Sequence, residues 1–224
     1  MDKDERTARE SIVAAARELD RTGLNRGTSG NVSLRFRDGL LITPSGVPTE
    51  RIQAEDVVPL GLDGTHPADQ KPSSEWRFHR DILASRRDFG AVVHAHPVYG
   101  TAFAMCGRDI PAVHYMIAAF GGPTVRCAPY APYGTAELSE LALTALAGRN
   151  ACLLANHGMI AAGATLEKAL WLAVELETLC HQYAVALQVG TPSILSDHEI
   201  GTTVERFRGY GMNASGTGGA GGGS

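Results

Sequence analysis

Residues 91–97 read AVVHAHP. Two valines stand between alanines, His94 follows, and Pro97 closes the run. A short apolar stretch with β-branched residues, ended by proline, predicts a buried strand over Ala91 to His96. Side chains two apart on a strand share a face, so His94 and His96 can converge on one ion. A lone HxH pair is weak evidence, because most such pairs are structural.

The segments on either side assign the remaining elements. Residues 5–22 predict a helix with Ile12, Val13, Ala16 and Leu19 on one side, stopped by Gly23. Val32–Phe36 and Leu40–Thr43 alternate like strands around Asp38-Gly39, a hairpin signal. Val57–Leu60 is a third short strand. Ser73–Ser85 predicts a helix opened by two capping serines. Tyr99–Met105 predicts a short helix and Val125–Ala128 a strand. Ala136–Ala147 predicts a helix ended by Gly148, and Ala151–Ala155 an apolar strand. Leu166–Val189 predicts a long amphipathic helix, and Asp197–Tyr210 a final one. Strands come first, then the two kinds mix, and helices dominate the end. That order points to a sheet covered by helices, not a doubly wound nucleotide fold, and no GxGxxG follows a strand. One domain is expected over residues 1–210, with a flexible glycine-rich tail, GMNASGTGGAGGGS, over 211–224.

Composition narrows the function. The formal charge is -4 and no basic run occurs, which argues against nucleic acid as a partner. No apolar run reaches the length of a membrane span, and Met1–Arg9 is charged rather than signal-like. The four cysteines are widely spaced and form no CxxC pair. Reduced thiols in the core of a cytoplasmic protein are the expectation.

Two further pieces join the histidine pair. In ACLLANHGM, residues 151–159, His157 follows an apolar strand and precedes a glycine that permits a tight turn. In KPSSEWRFH, residues 71–79, Glu75 falls in the first turn of the predicted helix, where an acidic residue also suits the helix dipole without any metal. Three imidazoles and a carboxylate make a donor set suited to zinc. The carboxylate is the natural ligand to leave or share, since it can serve as a base. The other histidines, His66, His79, His114, His181 and His198, read as surface or structural.

Three segments combine glycine with small hydroxyl residues: GTSGN (27–31), TPSG (43–46) and PSSE (72–75). Such turns present backbone N–H groups to anions, and serine or threonine hydroxyls add donors. Taken alone, each reads as a plain turn or cap. The adjacency of Ser74 to Glu75 would put a bound phosphate close to the metal. No P-loop signature occurs.

Together these residues resemble the class II aldolases of the L-fuculose-1-phosphate aldolase type, from about residue 7 to residue 210. GTSGNVS, LITPSGVP, PSSEWRFH, AVVHAHPV, IPAVHYMIAAFGG, CAPYAPYGT, LLANHG, EKALWLA and LSDHEI carry the likeness in order. The resemblance implies a three-layer α/β/α sandwich with a mixed, largely antiparallel central sheet, and a homotetramer with active sites between subunits. It implies one zinc per subunit on His94, His96 and His157, with Glu75 as fourth ligand and acid/base group. It implies phosphate binding by Thr28, Asn31, Ser45, Gly46, Ser73 and Ser74, and a proton donor, Tyr115, reaching a neighbour's site. Tyr133 and Tyr210 would lie on the substrate side. The implied reaction is zinc-dependent retro-aldol cleavage of a ketose 1-phosphate to dihydroxyacetone phosphate and an aldehyde such as L-lactaldehyde. The family pattern carries threonine at Ser45 and phenylalanine at Tyr133, and differs at Asn156; the hydroxyl survives at Ser45, and the change at Tyr133, on the aldehyde side, bears on specificity. A lysine Schiff base is disfavoured, since Lys3, Lys71 and Lys168 fall at predicted surface or loop positions. Two other readings remain open here. One is an L-ribulose-5-phosphate 4-epimerase or related sugar-phosphate lyase; the epimerases carry aspartate at the position of Glu75. The other is a non-catalytic, adducin-like interaction module.

Overall fold

A computed structural model describes residues 1–208. Tyr210 and the tail over 211–224 lie outside the described residues. The strands are β1 (Asn31–Phe36), β2 (Gly39–Ile42), β3 (Val58–Gly61), β4 (Ala91–Ala95), β5 (Cys127–Ala128), β6 (Ala151–Leu154) and β7 (Gly158–Gly163). The helices are α1 (Lys3–Arg21), α2 (Trp76–Ser85), α3 (Val98–Met105), α4 (Ala136–Ala145), α5 (Leu166–Val189) and α6 (Asp197–Arg208). Short 3₁₀ turns cover Thr49–Arg51, Ala54–Asp56 and Tyr115–Phe120.

The AVVHA run forms β4, and all five of its residues are buried. It sits in the middle of a seven-stranded sheet of order β3-β2-β1-β4-β7-β6-β5. Every pairing is antiparallel except β5 with β6. Burial of both faces explains why the central strands read as continuous apolar runs rather than alternating ones. Ala91, Val93 and Ala95 face a layer built from α1, α3 and α5, with Leu19, Phe103, Leu172, Leu176 and Ile200 in the same core. Val92 faces the other way, into Phe78, Ile82 and Leu83 of α2 and Leu138 and Ala142 of α4. The chain is thus a three-layer α/β/α sandwich. Each fully buried Leu or Ile in these two cores contributes about 1.5–3 kcal/mol of apolar transfer.

Several local expectations are corrected. The sequence does not predict β7, because GMIAAG has glycine at both ends and alanines inside, a composition with weak strand preference. Its pairing with β4 on one side and β6 on the other supplies what propensity lacks. The β1–β2 loop is Arg37-Asp38, with Arg37 at φ 50°. Gly39 belongs to the strand, where an added Cβ would meet the Leu60 carbonyl oxygen at 2.4 Å. Helix α2 starts at Trp76, three residues later than predicted. Val125 contributes an isolated bridge to Ile110 rather than the start of β5. Cys152 and Cys180 are buried and Cys127 partly so, but Cys106, which caps α3, is exposed. None of the described helices is long and apolar enough to cross a membrane.

Candidate metal centre and active-site cleft

His94 shares the parity of Val92 on β4, so its ring points toward α2 and meets Phe78 edge-on at 5.3 Å. His96 lies just past the strand's end, where Asn25 Oδ1 accepts its backbone N–H at 3.0 Å. His157 closes the three-residue turn between β6 and β7, which places Asn156 at φ 56°, a conformation asparagine tolerates better than most residues. The glycine that follows has a second reason. A Cβ on Gly158 would lie 2.5 Å from the Ala95 carbonyl oxygen and 2.6 Å from the His96 ring. Glu75 is the N-cap residue of α2 and makes no side-chain capping bond, so its carboxylate is free to point into the sheet.

The ligand atoms of Glu75, His94, His96 and His157 all lie within 4.8 Å of one another. His94 Nε2 is 2.8 Å from His96 Nε2 and 3.2 Å from Glu75 Oε2. His157 Nε2 is 3.0 Å from Glu75 Oε1. Ligands around a tetrahedral zinc with bonds near 2.0–2.1 Å stand about 3.3 Å apart, so these spacings suit such an ion. Two further observations support the fit. His94 Nδ1 donates to the Met159 carbonyl oxygen at 2.9 Å, which leaves the Nε2 lone pair turned toward His96 and Glu75. Glu75 Oε1 is buried and has no donor aligned on it. Lone pairs and a buried carboxylate oxygen facing one point suit a cation between them.

Burial raises the Glu75 carboxyl pKa, and positive charge on His94 with a hydrogen bond from His157 would more than reverse this. With the His94 Nε2 lone pair facing the carboxylate, that charge is the part a bound cation would take. Burial, reinforced by the neighbouring His94 and His157, pushes His96 down to about 3, so its ring is neutral at pH 7 and able to ligate. His79, which the sequence marked only as surface or structural, is fully buried behind the cluster. Its pKa is lowered to about 3, first by burial and then by His94.

His79 makes stability depend on pH with a defined sign. An unfolded histidine takes up its proton near 6.5, whereas folded His79 does so only near 3. Between those values the unfolded chain binds more protons, so folding stability falls as pH falls through the window. The slope from one such group is about 1.4 kcal/mol per pH unit. Urea unfolding at pH 6 and pH 4.5 should show wild type losing more stability than His79→Gln. Equal losses in the two proteins would contradict this reading of His79.

A cleft of about 340 Å³ opens over the metal centre. Its lining includes Glu75, His96 and His157 together with Thr28, Asn31, Ser45, Gly46, Ser73 and Ser74, so three separate loops meet at the donor cluster. Ser74 is exposed and Ser73 is buried. The expected capping role fails, because the Ser73 hydroxyl accepts the Glu75 N–H at 3.3 Å in a tight turn before the helix. Asn31 lines the cleft too; its Nδ2 donates to Glu75 Oε2 at 3.0 Å and its Oδ1 meets His79 Nε2, which leaves the second Nδ2 hydrogen for another acceptor. Tyr133, 71% exposed, stands on the cleft wall. Tyr130, to which no motif gives a role, and Asn156 stand there too. Tyr115, on the Tyr115–Phe120 turn, is 53% exposed and does not line this cleft.

Comparisons with known proteins agree with this geometry. Residues 10–184 match the family described as Class II Aldolase and Adducin N-terminal domain. The chain is 52% identical over 206 residues to a 5-methylthioribulose-1-phosphate/5-deoxyribulose-1-phosphate aldolase of Rhodospirillum rubrum, covering 92% of this chain and 93% of that protein. It is 50% identical over 202 residues to an L-fuculose phosphate aldolase of Escherichia coli (strain K12), covering 90% and 94%. A solved L-fuculose 1-phosphate aldolase structure superposes with a TM-score of 0.88 at 36% identity, covering 93% of this chain and 98% of that one. A sandwich of this topology with a histidine–carboxylate cluster at one sheet end places the chain in the class II aldolase family. Within it the chain is an aldolase of the L-fuculose phosphate aldolase type, and therefore a lyase.

Proposed function

We propose that this enzyme cleaves a deoxyketose 1-phosphate, of the L-fuculose 1-phosphate kind, to dihydroxyacetone phosphate and a short aldehyde such as L-lactaldehyde. The observation that carries the proposal is one cleft in which hydroxyl-rich turns meet a four-donor metal cluster. Zinc is the ion the three imidazoles and carboxylate suit, one per subunit, held by His94, His96, His157 and Glu75. When bound, it supplies a Lewis acid that withdraws electron density from the substrate carbonyl.

The chain's own groups do the rest. Thr28, Asn31, Ser45, Gly46, Ser73 and Ser74 hold the phosphate, so the bond to be broken sits over the cluster. Loss of the C4 hydroxyl proton turns C4 into the aldehyde carbon as the C3–C4 bond breaks. The bonding electrons go to C3, and Glu75, having taken up a proton from water, delivers it there, while the C4 hydroxyl proton leaves through Tyr115 to solvent. Tyr115 exchanges the C4 hydroxyl proton, acting as donor in the synthetic direction. Because Tyr115 does not line the cleft of its own chain, the proposal assigns it to a neighbour's site in a homotetramer. Tyr130 and Tyr133 give the aldehyde end an aromatic wall suited to a methyl or methylthio group. The relatives are named for fuculose phosphate and for 5-methylthio- and 5-deoxyribulose 1-phosphates, and both kinds end in an apolar group. Glutamate rather than aspartate at position 75 favours the aldolase over the 4-epimerase reading.

Release of dihydroxyacetone phosphate from L-fuculose 1-phosphate, 5-deoxyribulose 1-phosphate and 5-methylthioribulose 1-phosphate tests the proposal. Cleavage of at least one is expected. Cleavage of none, with epimerisation of L-ribulose 5-phosphate instead, would overturn it. The phosphate site has its own test. A hydrogen bond to a charged group contributes about 1.5–3 kcal/mol. Ser73→Ala with Ser74→Ala should therefore weaken dihydroxyacetone phosphate binding by that amount or more, while unphosphorylated dihydroxyacetone is unaffected. Equal losses for both ligands would remove the serines from the phosphate site.

A further inference from the structure

Behind the metal cluster runs a buried chain of polar side chains that the reaction as drawn does not use. Ser33 on β1 lies under the sheet face that carries His94, and its Oγ is 2.7 Å from His79 Nδ1. His79 Nε2 meets Asn31 Oδ1, and Asn31 Nδ2 reaches Glu75 Oε2 at 3.0 Å. All four residues are buried, and Ser33 and His79 have no exposed surface.

One charge sets every proton in the chain. The Glu75 carboxylate only accepts, so Asn31 must present its NH₂ to it. Asn31 Oδ1 then needs a donor, so His79 carries its hydrogen on Nε2. His79 Nδ1 is left as a lone pair, and the Ser33 hydroxyl donates to it. An amide flip at Asn31 would break two buried hydrogen bonds at once. The two oxygens of Glu75 become unequal. Oε2 is held by Asn31, while Oε1 has no aligned donor.

We infer that His79 and Ser33 are positioning residues for proton transfer: through Asn31 they fix Glu75 Oε2, and Oε1, once substrate displaces it from the cluster, is the oxygen that takes and returns the carbon-bound proton. The inference rests on the proposed acid/base role of Glu75. It does not involve ionisation of His79, which works as a neutral ring of one tautomer.

The test compares His79→Phe, His79→Gln and Ser33→Ala in the metal-loaded protein. The readout is exchange of the carbon-bound proton of dihydroxyacetone phosphate with deuterated water. Phenylalanine keeps the ring and its stacking on Phe78, 4.8 Å away, but donates nothing to Asn31. The exchange rate should fall about 10–100-fold, as for other partners that orient a metal-site ligand. Metal content and the KM for dihydroxyacetone phosphate should stay near wild type. Glutamine again presents an N–H to Asn31 and should recover most of the loss. Ser33→Ala, which frees the His79 tautomer, should lower exchange by a smaller factor, and it decides the matter if His79→Phe does not fold. Undiminished exchange in either folded variant, or a loss that glutamine does not relieve, would overturn the inference. Long-range ¹H–¹⁵N spectra of wild type give a readout independent of activity. They should show His79 protonated at Nε2 alone between pH 8 and pH 6, and a proton on Nδ1 would overturn the inference. Wild type that exchanges nothing would count against the proposed activity itself, and the ring tautomer would still judge the relay.

Discussion

Glu75→Gln should lose exchange of the carbon-bound proton of dihydroxyacetone phosphate by about 10² to 10⁴-fold, the usual contribution of a positioned general base. Glutamine keeps the size and a neutral oxygen but accepts no proton at neutral pH. The three imidazoles remain, with His94 and His96 Nε2 atoms 2.8 Å apart, and three-histidine zinc sites retain their ion. The variant should therefore keep most of its metal and still bind dihydroxyacetone phosphate. Exchange needs no aldehyde and no C4 hydroxyl, so Tyr115→Phe should retain much of it. Wild-type exchange in metal-loaded Glu75→Gln would leave Glu75 as a ligand only and put the base elsewhere.

His94→Ala should abolish cleavage, because it removes the ligand at the centre of the cluster and leaves His96 and Glu75 facing a void. Tyr115→Phe should also abolish cleavage, by removing the hydroxyl that handles the C4 proton. If Tyr115 serves a neighbour's site, these two inactive proteins complement each other. Co-refolded mixed oligomers would contain some sites with an intact cluster from one chain and an intact tyrosine from the next. Partial recovery of cleavage is expected, tracking the fraction of mixed oligomers. No recovery in oligomers shown to be mixed would contradict a shared site.

The sequence made the fold readable where local chemistry and tertiary packing agree. Helix α5 was expected over Leu166–Val189 and has those bounds, because Thr165 caps one end, its hydroxyl accepting the Lys168 N–H at 3.2 Å, and Gly190 ends the other. β4 was legible from two valines and a proline. β7 was not, since Gly158 and Gly163 serve close approaches to β4 and α5 that no local pattern announces. The start of α2 was placed too early because Ser73 and Ser74 look like caps. In the fold, the turn they form delivers Glu75 to the sheet instead.

The four donors of the candidate metal cluster were legible in the sequence, whereas Tyr130 on the cleft wall was not. His94 and His96 were paired by strand spacing, and His157 by its place between an apolar run and a glycine. The layer beneath was hidden. His79 sits in a helix with an apolar stripe, and nothing in the surrounding residues says that a histidine there is buried against Asn31 and Ser33, 48 and 46 positions away. The family resemblance implies a phosphate role for Asn31, and nothing in the local sequence shows its second partner. Asn31 is also the first residue of β1 and pairs in register with His94, which turns its amide toward Glu75.

The central claim is that Glu75, His94, His96 and His157 hold one divalent metal ion. Elemental analysis of the untreated protein tests it most directly. About one zinc, or one equivalent of zinc, iron, cobalt and manganese combined, is expected per chain. A protein free of all four metals, and unchanged in cleavage when any of them is added, would contradict the account.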